Sequence, residues 1–280
     1  MRRLTIGRVE LSALCIGGNP FSGFSHQSEA RSREMVAYCT PGRIIDTLQQ
    51  AGEAGINTVF ARTDDHIFGI MREYYRQGGT LQWFAQVNTP NDGPSWQDLL
   101  KAAVGIGCEG AYIHGGVVDC WYANGETHNC HEAVALMREL DVKAVGMAGH
   151  SSQAHAWMNE DLDLDFQMCC YYNPTDRSQD PEHQSVGEKW RAEDRDAMLS
   201  VIRTIRRPVV HYKVFAGGNL PIIEGFERLG KAMRPGDVAC VGVFLKDDPD
   251  MITKDVALFE KYVDGKRPVG VGPAKEAPLS

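Results

Sequence analysis

Short apolar runs alternate with amphipathic stretches along the whole chain. The runs are 14–18 (LCIGG), 57–61 (NTVFA), 81–87 (LQWFAQV), 110–114 (GAYIH), 143–147 (KAVGM), 166–172 (FQMCCYY), 209–213 (VVHYK) and 238–244 (VACVGVF). Each is too short for a buried helix and predicts a strand. Between them, apolar residues recur at helical spacing over 44–54, 67–75, 96–104, 130–140, 193–205, 223–233 and 251–262. Ser151 or Ser152 is placed to cap a further helix after the fifth run. Strands separated by helices imply a parallel sheet built from right-handed crossovers. Eight such units in about 250 residues match the α/β class and a closed (β/α)8 TIM barrel. A doubly wound open sheet is the rival. No GxGxxG turn follows the first run, which weighs against it.

Residues 1–11 alternate apolar and polar and predict a hairpin closing the bottom of the barrel. Two long loops, 19–43 and 174–192, fall after the first and sixth strands. In a barrel both reach the C-terminal face, where such loops often act as lids. Residues 1–264 read as one barrel domain, and 265–280 as a flexible tail.

Composition narrows the function. The chain has 280 residues, 43% hydrophobic and 24% charged, which is ordinary globular usage. Lys plus Arg is 29 against 37 Asp plus Glu, a formal net charge of -8. That balance excludes nucleic acid and an anionic membrane surface as main partners. No apolar run approaches the roughly 20 residues of a spanning helix, and no apolar signal core follows Met1. The eight Cys contain no CxxC pair and several sit inside apolar runs, so they read as reduced, small buried hydrophobes. A cytoplasmic protein with a small-molecule substrate is expected, and a homo-oligomer is left open.

In a barrel the chemistry lies where strands end. The ends carry Asn19; Arg62, Asp64, Asp65 and His66; Gln86 and Asn88; His114; His150; Tyr172 and Asn173; His211 and Lys213; and Lys246. Four of the nine His fall there: His66, His114, His150 and His211. Such convergence suits a divalent metal on His114, His150 and His211, or acid–base work without metal. Independent histidines lining a polar pocket are the plainer reading. His211 and Lys213 are two apart and expected on one face. A Lys confined beside a His would have its pKa lowered, as a base or oxyanion stabiliser. Asn19, Arg62, Gln86 and Asn173 are candidate substrate-binding groups. Asp65, Tyr172 and His66 join His114 and Lys213 as candidate catalytic groups. Asp64 or Asp65 is also placed to cap the next helix.

Several stretches resemble the aldo/keto reductase superfamily. They are the start (RRLTIGRVELSALCIGG), Ala54 to Asn57 (AGIN), Ala111 to His114 (AYIH), Val145 to Ser151 (VGMAGHS), Tyr172 to Pro174 with Arg177, and Tyr212 to Leu220 (YKVFAGGNL). The resemblance implies that family's barrel, with His114 matching its catalytic His. The family's Asp falls near Phe60 or Ala61, its Tyr near Asp65 or His66, and its Lys at Gln86. Lys213 to Ala216 stands where the family commonly has Ser-Pro, and Lys246 echoes its phosphate-binding segment. A reductase needs a Tyr made acidic by a Lys, and neither is matched. The first expectation is therefore a lyase, isomerase, epimerase or hydratase. It would abstract a proton beside the carbonyl of a polyhydroxylated, keto-sugar-like molecule, with Lys213 or a His as base. The second is a divergent NADPH-dependent reductase in which His114, His66 or Lys213 gives the proton and Lys246 binds the cofactor. The third is a non-catalytic binding protein on the same scaffold.

Overall fold

The computed structural model describes residues 1–89, 93–173 and 190–265. The hairpin expected at the start is present: β1 (Arg3–Ile6) pairs antiparallel with β2 (Val9–Ser12). Then β3 (Leu14–Gly17) leads through a 3-10 turn to α1 (Glu29–Tyr38) and α2 (Pro41–Glu53). Regular units follow: β4 (Thr58–Arg62) with α3 (Asp65–Arg76), and β5 (Gln82–Val87) with α4 (Trp96–Ile106). The next is β6 (Gly110–Ile113) with α5 (Gly115–Ala123) and α6 (His128–Glu139). Then come β7 (Ala144–Gly149) with α7 (Ser152–Asp161) and β8 (Phe166–Cys170) with α8 (Ala192–Ile202). Last are β9 (Val209–Tyr212) with α9 (Ile222–Ala232) and β10 (Val238–Gly242) with α10 (Met251–Phe259).

All eight expected strands form, and they close into a parallel (β/α)8 barrel in the order β10-β3-β4-β5-β6-β7-β8-β9. The seam is β10 on β3, with Ala239 opposite Leu14 and Gly242 opposite Gly17. Alternate strand residues point inward. Phe60, Phe84, Tyr112 and Phe166 therefore meet inside the barrel, Phe60 and Phe84 with centroids 4.9 Å apart. The hairpin's Ile6, Val9 and Leu11 join this inner cluster and stop the N-terminal end. A larger apolar layer lies between the strands and the helices. The barrel is therefore packed below and open only toward the strand C-termini.

Helix starts follow their cap residues. Asp64 Oδ1 accepts from the Ile67 N–H at 2.9 Å, and Ser151 Oγ accepts from Ala154 N–H at 3.2 Å. Two helices depart from expectation. α1 lies in the stretch read as the loop 19–43. Its apolar residues do not fall on one face, and Met35 alone is buried. α5 starts on Gly115-Gly116 directly after β6 and buries five consecutive residues, Gly115 to Asp119, so it carries no amphipathic period.

All eight Cys are free thiols. Among the described residues no helix is long and apolar enough to cross a membrane. Most of the expected lid 174–192, and all of the tail except Gly265, lie outside the described residues.

Candidate active site at the barrel mouth

A cavity of about 690 Å³ opens at the C-terminal ends of the strands. Its wall includes His114, His150, Tyr212 and Lys213. The strand ends β6, β7 and β9 deliver these side chains to one place.

The centre of the wall is a buried carboxylate–imidazole pair. Asp119 Oδ2 lies 2.8 Å from His150 Nδ1, and each side chain is 1% exposed. Asp119 also accepts the backbone N–H groups of His150 (2.8 Å to Oδ2) and Ser151 (3.1 Å to Oδ1). The carboxylate is thus fixed by donors on both sides. A carboxylate can only accept, so Nδ1 carries the imidazole proton and Nε2 is the basic nitrogen. Nε2 points to the cavity, with the Tyr212 hydroxyl and Lys213 Nζ each at 3.4 Å.

Local backbone makes this cluster possible. Gly115 stands against it: a Cβ there would be 2.9 Å from His150 Cε1 and 3.0 Å from Tyr212 Oη. Lys213 has a φ of 55°, left-handed for a residue with a Cβ. That turn ends β9 and swings the lysine into the mouth.

Around the pair the mouth is lined by polar groups, and among the described residues Asn88 Oδ1 is buried without a hydrogen bond. Arg62 stacks over Phe24 at 4.4 Å, with Asp64 Oδ2 3.5 Å from its Nε. Burial lowers its guanidinium below the ordinary value, opposed by Asp64. Gln86 bonds the phenol of Tyr112, which burial holds well above its usual range. Asn19 Nδ2 is 3.2 Å from His26 Nε2, in the loop folded over the mouth.

The expected residues divide clearly. His114, Lys213, Asp65, Asn19, Arg62 and Gln86 line the cavity together with His150. His66 is exposed in the first turn of α3 and lines neither this cavity nor its neighbour. Tyr172 packs edge-on against Trp190 at 5.3 Å, and Asn173 lines neither cavity. His211 is a correction. It is wholly buried in the helix layer, with Tyr171 Oη 3.0 Å from Nδ1 and Asp237 Oδ2 3.2 Å from Nε2. Strand alternation sends Tyr212 inward and His211 outward. The left-handed turn at Lys213 then breaks the parity that put Lys213 beside His211.

Three groups were missed by sequence reasoning. Asp119 sits one turn into α5, away from the strand ends. Tyr212 was passed over between two more reactive neighbours. His26 was read as a loop residue; its φ of 57° and its place on both cavity walls mark it in the structure.

His114, His150 and His211 do not converge. Among the described residues no group of three or more His, Cys, Asp or Glu comes together that could hold a metal. A second cavity of about 360 Å³ continues from the mouth past the β9–α9 and β10–α10 loops. The phosphates of NADPH would need cations here. Lys246 is bound to Glu34 at 2.7 Å, and Arg31 is held between Glu34 and Asp247. Asp247 and Asp255 line the same groove. These residues do not fit the phosphates of that cofactor.

No family model matches the chain, and no curated protein matches it in sequence. Solved structures do match. A protein of Pseudomonas aeruginosa assigned to the aldo-keto reductases is 16% identical, with a TM-score of 0.61, over 93% of this chain and 95% of that one. An aldo-keto reductase from Bacillus halodurans in its holo form is 12% identical, with a TM-score of 0.55, over 98% and 99%. A protein of Coccidioides immitis assigned as a deoxyribose-phosphate aldolase is 12% identical, with a TM-score of 0.51, over 96% and 89%. At these identities the likeness is one of fold. The chain has an aldo-keto-reductase-like barrel, an enzyme scaffold shared with other chemistries.

Proposed function

We propose that the mouth is the active site of an enzyme that moves a proton beside a carbonyl group. The reaction belongs to the isomerase or lyase class, on a polyhydroxylated small molecule. The observation that carries this reading is the Asp119–His150 pair, whose Nε2 faces a cavity beside two proton donors.

In the proposed step His150 Nε2 takes a proton from the carbon next to the carbonyl. The electron pair moves onto the carbonyl oxygen as an enolate. Tyr212 or Lys213 stabilises that oxygen by donating a hydrogen bond. Asp119 holds the imidazole and stabilises the imidazolium that forms. For isomerisation the hydroxyl proton on the deprotonated carbon passes to the enolate oxygen, that carbon becomes the new carbonyl, and His150 returns its proton to the former carbonyl carbon. For elimination the enolate re-forms the carbonyl, the bond to the β-hydroxyl breaks, and that group leaves as water with a proton given by His114. Asn88 Oδ1, buried and without a hydrogen bond among the described residues, gives a substrate hydroxyl something to bond.

Hydride transfer from NADPH is the rival, and the paired cations of the groove do not favour it. The test is exchange of carbon-bound hydrogen in D2O, followed by NMR across a panel of ketoses and hydroxy ketones. We expect exchange by the unmodified protein and its loss in His150→Ala. NADPH oxidation with those carbonyls, without carbon-bound exchange, would reject the reading.

A further inference from the structure

The second cavity holds a group the mouth does not use. Asp255, on α10, lines it and is 2% exposed. Among the described residues its Oδ1 is buried with no hydrogen-bond partner. Burial, reinforced by the like charge of Asp248, pushes this carboxyl up to about 7. Buried polar atoms are nearly always paired, and an orphan costs stability until something pairs with it.

The surroundings say what would pair. The lining of this cavity is largely apolar, with Met35, Phe215, Leu220, Ile222, Phe244 and Met251 among its residues. Of the two cationic side chains on the groove wall, Lys213 sits at the mouth end with His150, and Arg31 is bonded to Glu34 and Asp247. A phosphate would meet Asp247 and Asp255 as like charges. A neutral donor would bond the carboxyl but leave its ionised form, about half the population near pH 7, without a countercharge. A cation on an apolar stem satisfies both the carboxyl and the walls. Asn19, Phe24, His26, Gln86, Tyr212 and Lys213 line both cavities, so the groove is continuous with the mouth.

We propose that this cavity is a second binding site, for an organic cation: an ammonium or amidinium on an apolar stem, anchored at Asp255. Its anchor, Asp255, lies outside the Asp119–His150 pair, which lines no part of this cavity.

The experiment uses the full chain and two probes of equal shape, benzamidine (cationic) and benzamide (neutral). Binding is followed by calorimetry and by melting temperature. We expect saturable binding of benzamidine at a single site, with benzamide about tenfold weaker or more. Asp255→Asn should weaken benzamidine by a similar factor and raise the melting temperature of the unliganded protein, because the orphan carboxylate is gone. Asp119→Asn should leave benzamidine binding unchanged. Equal binding of the two probes overturns the proposal, as does no binding, or benzamidine binding indifferent to Asp255→Asn. A lower melting temperature in Asp255→Asn makes the residue structural and also overturns it. Protection by NADPH that Asp255→Asn abolishes would make the groove a nucleotide site instead.

Discussion

Two buried carboxylate–imidazole pairs lie in this barrel, and they differ in what occupies the far side of the ring. Asp119 meets His150 at 2.8 Å, and the other ring nitrogen looks into the mouth. Asp237 meets His211 at 3.2 Å, and the other ring nitrogen meets Tyr171 within the helix layer. Asp237 is further tied to Arg234 and to the Val209 N–H. Both pairs are almost fully buried, so burial does not tell them apart. The first imidazole turns its second nitrogen to the cavity, where Tyr212 and Lys213 meet it. The second spends both nitrogens on the protein and holds β9 against its neighbours. Proximity of Asp and His is therefore a poor sign of chemistry, and the outlet of the second nitrogen is the better one.

The comparison breaks most sharply under carboxamide substitution. Asp119→Asn should lower turnover about 10²- to 10⁴-fold, the usual loss for an acid–base group, with a loss of stability of about 1–3 kcal/mol because the new amide faces backbone donors. Steady-state exchange rates and a thermal melt check it together. Asp237→Ala should weigh on stability instead of turnover. It leaves Arg234 and His211 without their carboxylate and should cost about 3–5 kcal/mol by denaturant unfolding. If instead Asp237→Ala spares stability and ends activity, the assignment of the two pairs is inverted.

A subtler probe is Gly115→Ala. The new methyl would press on His150 and Tyr212 without touching the second pair. Turnover should fall about 10- to 100-fold through misplacement of the ring, while stability changes little. Full activity in this variant would show that the imidazole need not stand where it does.

The smallest effect is in pH. Burial works against the Asp237 charge, but hydrogen bonds from His211 and Arg234 pull its carboxyl far below the ordinary value. Its folded pKa is depressed, so its stability contribution is complete above about pH 4 and lost as pH falls further. Asp255 has the opposite sign, raised to about 7. Its contribution is present below about pH 4 and lost as pH rises through 7. Acid unfolding should therefore steepen through Asp237. Asp255→Asn should flatten the decline between pH 5 and 8, and a curve unchanged by that substitution would contradict the burial argument.

The barrel was legible because its strands are buried on both faces and read as continuous apolar runs, such as 81–87 and 238–244. The hairpin was legible through its alternation. α5 was not, because a helix buried on every side has no period to detect. Asp119 was lost with it. His150 and Lys213 were legible from their strand ends. The wrong placement of His211 came from extending strand parity through Lys213, and nothing in the residue type of a lysine announces a left-handed turn. His66 failed for a simpler reason: Asp64 caps α3, and on the helix that begins there Asp65 still faces the mouth while His66, one step on, is exposed and faces away from it.

The seam between β3 and β10 has a consequence for how the chain assembles. Leu14 and Ala239 are partners in the ladder, yet almost the whole sequence separates them. Contacts of such span are slow to form, because loop-closure entropy is lost before they contribute any energy. Until β10 arrives, β3 keeps an open edge, and the hairpin residues Ile6, Val9 and Leu11 have no finished interior to fill. The hairpin and β3 are thus among the last segments to reach their final packing. Their apolar face stays exposed meanwhile, a natural handle for chaperones and a point where misassembly begins.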